Sequence, residues 1–137
     1  MIVLVWLLAQ APLPSQGPAD LGTLAEITRT AFVRRDFSRL LGDRPSVRLE
    51  LPDGNPSAAV TGRVAAASLG ALFRRTDERG LELVGAALAD DQHGYIELRR
   101  RYSVSRTQDA LAQRVLISAR LEDGAWRVVE VWVSAVR

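Results

Sequence analysis

Residues 111–133 read LAQRVLISARLEDGAWRVVEVWV, and this stretch decides the fold. Its centre is the pair Asp123-Gly124, which lies between two apolar runs. Such a pair is typical of a type I′ turn, because Asp tolerates positive φ and Gly adopts it freely. The stretch therefore predicts a β-hairpin with a two-residue turn, and a turn of this length also determines how the two strands pair.

The predicted pairing assigns the side chains of the hairpin to two faces. Glu130 is expected opposite Ile117, and Trp132 is expected opposite Val115. Because side chains alternate along a strand, Trp126, Glu130 and Trp132 are expected on one face. We expect this face to pack against helices, with Glu130 as its one charged residue.

Length and composition indicate one domain with an ordinary core. A chain of 137 residues buries roughly two-thirds of the surface that its unfolded form exposes, so it needs no covalent staples. It has no Cys, and all 18 of its basic residues are Arg. The net charge of +2 is too small to predict binding to nucleic acid or to an acidic membrane.

The N-terminus resembles a secretory signal. Residues 1–11 read MIVLVWLLAQA, an apolar run that ends in the small-x-small pattern of a cleavage site. The run is shorter than the about 20 residues that span a bilayer, so no stable membrane anchor is expected. No Lys or Arg precedes it, which leaves a miscalled start codon or a buried strand as alternatives. We predict a signal peptide over 1–11, a Pro-rich linker over 12–19, a domain over 20–137, and export from a bacterium to the periplasm or beyond.

The rest of the chain predicts helices first and an antiparallel meander afterwards. Apolar residues recur at helical spacing up to Phe32, after Asp20 or Thr23 as the N-cap, and again after Thr61. From Gly80 onward the apolar period changes to two, which is typical of strands. The expected helices cover residues 21–32, 37–41 and 62–76, and the expected strands cover residues 46–51, 81–89 and 95–105 before the hairpin.

Two opposite charges fall on the predicted core faces. Alternation along residues 95–105 places Arg100 on a face that is otherwise apolar, and Glu130 is likewise the one charged residue on the apolar face of the hairpin. A charge buried alone costs several kcal/mol, so each needs a partner or water. We expect the two side chains to reach toward each other across a curved sheet.

This pairing has two interpretations. Arg100 and Glu130 form a structural ion pair or reach solvent near the sheet edge, or else they form the polar floor of a pocket in which Glu130 is the candidate catalytic residue, a general base. The residues expected to line such a pocket are Phe32, Arg100, Tyr102, Trp126, Glu130 and Trp132.

Other polar groups predict little chemistry. His93 lies in a turn beside Asp90 and Asp91, where such side chains are usually solvated, so no metal site is predicted. Arg99-Arg100-Arg101 alternate between the faces of a strand and form no basic stripe, so nucleic-acid binding is not expected. The sequence has no P-loop and no Gly-x-Ser-x-Gly, and no cofactor is expected.

The order of elements resembles the nuclear transport factor 2-like (NTF2-like) superfamily, a cone-shaped fold of the cystatin-like group. More narrowly, it resembles short exported bacterial members with no assigned function. The resemblance implies an α+β fold with N-terminal helices packed on a curved antiparallel sheet and room for a pocket at the mouth of the cone. The catalytic Asp, Tyr and His sets of its enzymes have no counterpart here. The stretches that carry the resemblance are residues 24–32, DFSRLL at 36–41, VRLEL at 47–51, LGALFRR at 69–75 and WRVVEVW at 126–132.

The resemblance also implies a partner surface, because members often dimerise through the outer face of the sheet. We expect this surface to contain Leu116, Val129, Val131 and Val133, and we predict a homodimer. Three functions remain open: a non-enzymatic binder of a small apolar ligand or a protein partner, a pocket enzyme of isomerase, dehydratase or hydrolase type that uses Glu130, and an assembly module that acts through the outer face alone.

Overall fold

The computed structural model describes residues 17–52, 57–104 and 109–136. The predicted signal peptide over 1–11 lies outside these residues, as does most of the predicted linker. Export therefore stays a prediction, which the N-terminal residue of the mature protein would check. In chain order the elements are α1 (Leu21–Arg34), α2 (Phe37–Leu41), β1 (Val47–Glu50), β2 (Ala58–Val60), α3 (Gly62–Arg74), β3 (Thr76–Leu88), β4 (His93–Val104), β5 (Leu111–Glu122) and β6 (Ala125–Ala135).

The described strands form one six-stranded sheet in the order β2-β1-β6-β5-β4-β3. All neighbours are antiparallel except β1 and β6, which run parallel. The helices pack on one face of this curved sheet, so the predicted α+β class is confirmed. Three details differ from the prediction: β2 was not expected, β3 begins at Thr76, separated from α3 by one residue, and β1 joins the sheet beside the last strand.

Polar caps begin the two long helices where the sequence predicted them. The Asp20 side chain accepts a hydrogen bond from the Thr23 amide at 2.7 Å, so Asp20 is the N-cap of α1. The Thr61 hydroxyl accepts one from the Val64 amide at 3.3 Å.

Three phenylalanine rings, one from each helix, meet edge to face in the core. Their centroids are 5.1 Å apart for Phe32–Phe37 and Phe37–Phe73 and 5.8 Å apart for Phe32–Phe73.

The hairpin turn is as predicted. Asp123 and Gly124 have φ of 51° and 80°, the positive values that a type I′ turn requires. The predicted pairing also holds from the turn to Ala119 opposite Val128. Beyond that point it is wrong, because β6 contains one extra residue, Val129, and the next pair is Ser118 opposite Glu130. This β-bulge exchanges the two faces of the remainder of β6.

The bulge reverses four predicted positions. Val131 and Val133, expected on the outer face, are buried in the core. Glu130 and Trp132, expected on the inner face, lie on the outer face, and Trp132 is 44% exposed. The physical reason is that an unpaired carboxylate costs several kcal/mol to bury, whereas two valines gain from burial. A bulge gives up regular pairing at only one residue.

Candidate functional site

The structure does not bring the six predicted pocket residues together. Phe32 and Trp126 belong to the core, and Tyr102 is half-buried. Arg100 is buried on the inner face, but Glu130 and Trp132 lie on the opposite side of the sheet. The predicted pair of Arg100 with Glu130 is therefore wrong.

The partner of Arg100 is Glu78, near the start of β3. Arg100 Nη2 lies 3.1 Å from Glu78 Oε2, and the Arg100 side chain is 0% exposed, whereas that of Glu78 is 25% exposed. Sequence reasoning missed Glu78 because it placed the start of this strand after Gly80. The available signal was Thr76, a β-branched residue that follows the C-cap residue Arg75 of α3.

Arg100 is also held by neutral groups on three strands and a helix. Its guanidinium lies 3.9 Å from the Phe73 ring centroid and 4.3 Å from that of Tyr102. It donates to Thr76 Oγ1 at 2.6 Å and to Gln113 Oε1 at 3.0 Å. Only Nε lacks a hydrogen-bond partner among the described residues. The cluster joins β3, β4 and β5 beneath the end of α3.

Burial shifts the pKa of both charged members of this cluster. Desolvation lowers the pKa of Arg100, and the nearby Glu78 carboxylate opposes that shift. Desolvation raises the pKa of Glu78, and the Arg100 charge partly offsets it. With its cation enclosed between two rings and three polar partners, this cluster has the geometry of a structural anchor.

Glu130 has ordinary surface surroundings. Its carboxylate accepts a hydrogen bond from the Ser118 hydroxyl at 3.3 Å, and its backbone is paired with Arg48 of β1. It faces away from the helices and the three phenylalanine rings. Glu130 therefore does not lie on the inner face, where the pocket with a general base was expected.

The outer face, which we define as the side of β3–β6 turned away from the helices, carries exposed apolar side chains. Trp132, Tyr95 and Val84 are between 44% and 52% exposed. Trp132 stands directly opposite Leu116, which is half-buried. These residues come from four neighbouring strands, so they form one apolar surface and not scattered positions.

A depression of about 520 Å³ opens in the outer face where β3 bulges. The pairing of β3 with β4 shifts between Leu83 and Gly85, which leaves Val84 as the extra residue. Its lining includes the small residues Gly85 and Ala87 and the larger Tyr95 and Leu116. Small side chains on an edge strand thus produce a hollow beside the apolar surface.

Charges of both signs surround these apolar groups. Arg114 Nη2 lies 3.0 Å from Glu97 Oε1 across β4 and β5. Glu82 stands opposite Arg99 as a cross-strand neighbour, but Arg99 also stands opposite Arg114, and Arg120 stands opposite Arg127. The outer face therefore carries charges of both signs, with two arginine pairs among its cross-strand neighbours.

The remaining sites give no metal-binding geometry. His93 Nδ1 lies 2.9 Å from Asp90 Oδ1 in an exposed turn, and the pKa of Asp90 is lowered first by the hydrogen bond from the Gln92 backbone amide and then by this contact with His93. Within residues 17–52, 57–104 and 109–136, no three metal-ligating side chains cluster. Over the same residues, no helix is long and apolar enough to cross a membrane.

Comparison with known proteins finds similarity at the level of structure. No family model and no curated protein sequence matches the chain. Solved structures do match, and the first of three is provisionally described as a calcium/calmodulin-dependent protein kinase type II association domain, from Thiobacillus denitrificans ATCC 25259. It is 18% identical with a TM-score of 0.62, over 89% of this chain and 98% of that one.

Two further structures extend the comparison. A domain of unknown function with a cystatin-like fold, from Nostoc punctiforme PCC 73102, is 12% identical with a TM-score of 0.61, over 84% of this chain and 74% of that one. A protein provisionally described as a dehydratase from the NTF2-like family, from Streptomyces avermitilis, is 16% identical with a TM-score of 0.59, over 85% of this chain and 94% of that one. Such identities establish the fold alone, and the chain has the cone-shaped fold of the NTF2-like superfamily.

Proposed function

We propose that this protein is a non-catalytic association domain that pairs with a second copy of itself through the outer face of its sheet. The observation that carries the proposal is Trp132, a large aromatic side chain on β6 that is 44% exposed on the outer face. Tryptophan is enriched among the residues that dominate binding energy at protein interfaces.

The size of the outer face fits a stable dimer. Strands β3–β6 contain 11 to 13 residues each. With about 4.8 Å between strands and about 3.3 Å per residue, they present on the order of 700 Å². A standard stable interface buries about 800 Å² on each partner.

The charges of the outer face favour a second copy as the occupant. A face with charges of only one sign would repel its own copy, whereas the outer face carries both signs, as in the ion pair of Glu97 with Arg114. A two-fold dimer uses the same surface on both subunits, so this self-compatibility is required. The structural neighbour described as an association domain gives the proposal further support.

The alternative of a pocket enzyme has less support. Its candidate base, Glu130, lies outside the cone, and its candidate cation, Arg100, is bound to Glu78. A small apolar ligand in the interior would compete with the rings of Phe32, Phe37 and Phe73.

The experiment compares two charge substitutions on opposite sides of the molecule by analytical ultracentrifugation across micromolar to millimolar concentrations. We expect the unmodified protein to be a dimer and Trp132→Glu to be a monomer with an unchanged circular dichroism spectrum. The control is Val64→Glu, which alters a 48% exposed valine on α3 and should remain a dimer. A monomeric unmodified protein, a dimeric Trp132→Glu or a monomeric Val64→Glu would each overturn the proposal.

A further inference from the structure

One row of paired residues crosses the outer face from the exposed indole to the depression. Trp132 is opposite Leu116, Leu116 is opposite Glu97, and Glu97 is opposite Gly85. Three strand spacings of about 4.8 Å separate the ends of this row, so Trp132 and Gly85 lie roughly 14 Å apart on one line. The row thus has a large apolar side chain at one end and no side chain at the other.

A two-fold axis relates these two ends when the outer faces of two copies meet. Consider an axis that is parallel to the strands, lies between the two facing sheets and passes over the gap between β4 and β5. It places β6 of one copy over β3 of the other, and β5 over β4. The row of one copy then faces the same row of its partner in reverse order, so Trp132 of each copy stands over Gly85 of the other. The same contact between Trp132 and Gly85 forms twice, once in each direction, as a two-fold interface requires.

The depression offers open space and apolar contacts at the position where the indole would arrive. A Cβ added at Gly85 would meet no atom of the described residues within 4 Å, so the space above the backbone is open. The depression is open to solvent, with a volume of about 520 Å³ and a mainly apolar lining. Arg114 lies at its edge, and a guanidinium stacks favourably on an indole face.

We infer that Trp132 of each copy inserts into the depression beside Gly85 of its partner, and that this knob-and-hole pair sets which surfaces associate. The inference rests on the proposed self-association and adds its register. It also assigns a role to the bulges of the two strands: the one at Val129 turns Trp132 outward, and the one at Val84 shapes the receiving hollow.

The test fills the hollow without touching the indole. Gly85 has an ordinary backbone conformation and open surroundings, so Gly85→Leu should fold normally. We expect Gly85→Leu and Trp132→Ala each to raise the dimer dissociation constant on the order of tenfold or more. Because both remove the same contact, the double variant should be about as weak as either single variant. Gly70→Leu, at an equally open position on α3, should leave the constant unchanged.

The outcomes separate this inference from the proposed function. Two results would overturn the knob-and-hole register while leaving dimerisation through the outer face intact. One is normal dimerisation of Gly85→Leu. The other is a double variant whose dissociation constant rises by the product of the two single-variant factors. Loss of the dimer in Gly70→Leu would assign the interface to the helical side and overturn both. A monomeric unmodified protein would overturn both as well.

Discussion

Arg100 shows how far a single residue can be understood from its pattern. Its place among apolar residues on β4 indicated a buried charge that must be paired, and the structure buries it completely. The partner was misidentified, because the pattern shows that a charge needs compensation but not where the compensation comes from. Glu78, Thr76 and Gln113 supply it from the two neighbouring strands.

Removing this guanidinium should be costly. We expect Arg100→Ala to lower the free energy of unfolding by about 3–5 kcal/mol. The substitution leaves buried polar partners without their hydrogen bonds and creates a cavity between Phe73 and Tyr102. Urea denaturation followed by circular dichroism measures the change. Arg63→Ala, at an exposed arginine on α3, should stay within about 0.5 kcal/mol. Equal losses in both variants would contradict a special role for Arg100.

Among the elements, α3 depends on a close approach at its first residue. Gly62 donates its amide hydrogen to the Arg44 carbonyl at 2.9 Å. A Cβ at Gly62 would overlap the Leu41 carbonyl oxygen and lie 2.8 Å from that of Arg44. This glycine, which by propensity alone weakens the helix, is what allows α3 to begin against the end of α2.

The two glycines of α3 should therefore respond oppositely to alanine. Gly62→Ala should destabilise the protein by about 1–3 kcal/mol, because the backbone at Leu41, the end of α2, and at Arg44 in the loop after it must move. Gly70→Ala has open space around it and should stabilise the helix by up to about 1 kcal/mol. Thermal unfolding of both variants checks the difference in sign. A tolerated Gly62→Ala would show that α2 and α3 are not packed this closely.

The whole molecule is tied together across long sequence distances by Arg44. From the loop after α2 its guanidinium donates two hydrogen bonds, 3.0 Å and 3.2 Å long, to the Glu122 carboxylate at the hairpin end, and a third of 3.0 Å to the Val128 carbonyl. The hydrogen bonds from Arg44, and secondly those from Arg120, lower the pKa of Glu122 below its ordinary value of 4.5. The contact connects the helical layer to the last two strands.

This contact should make stability depend on pH below 4.5. A carboxylate whose pKa is lower in the folded state stabilises the fold above its unfolded pKa and loses that contribution as pH falls through the folded pKa. We expect Glu122→Gln to lose about 1 kcal/mol near neutral pH. The difference from the unmodified protein should shrink as pH falls below 4.5, in urea denaturation at stepped pH. A difference independent of pH would contradict the assigned pairing.

The sequence alone determined the class of the fold, the N-caps of the long helices and the turn at Asp123-Gly124, because these depend on local backbone preferences and on apolar period. It also showed that Arg100 needs a partner. These features are encoded within a few neighbouring residues, which is why they could be predicted.

Only the tertiary structure decided the faces of β6, the parallel contact of β1 with β6, and the identity of the partner of Arg100. A bulge at Val129 has no local signature, since it arises from the competition of Glu130, Trp132 and two valines for the space under the helices. The balance of those burial energies belongs to the assembled core, and it is what places Glu130 and Trp132 on the outside of the cone instead of the inside.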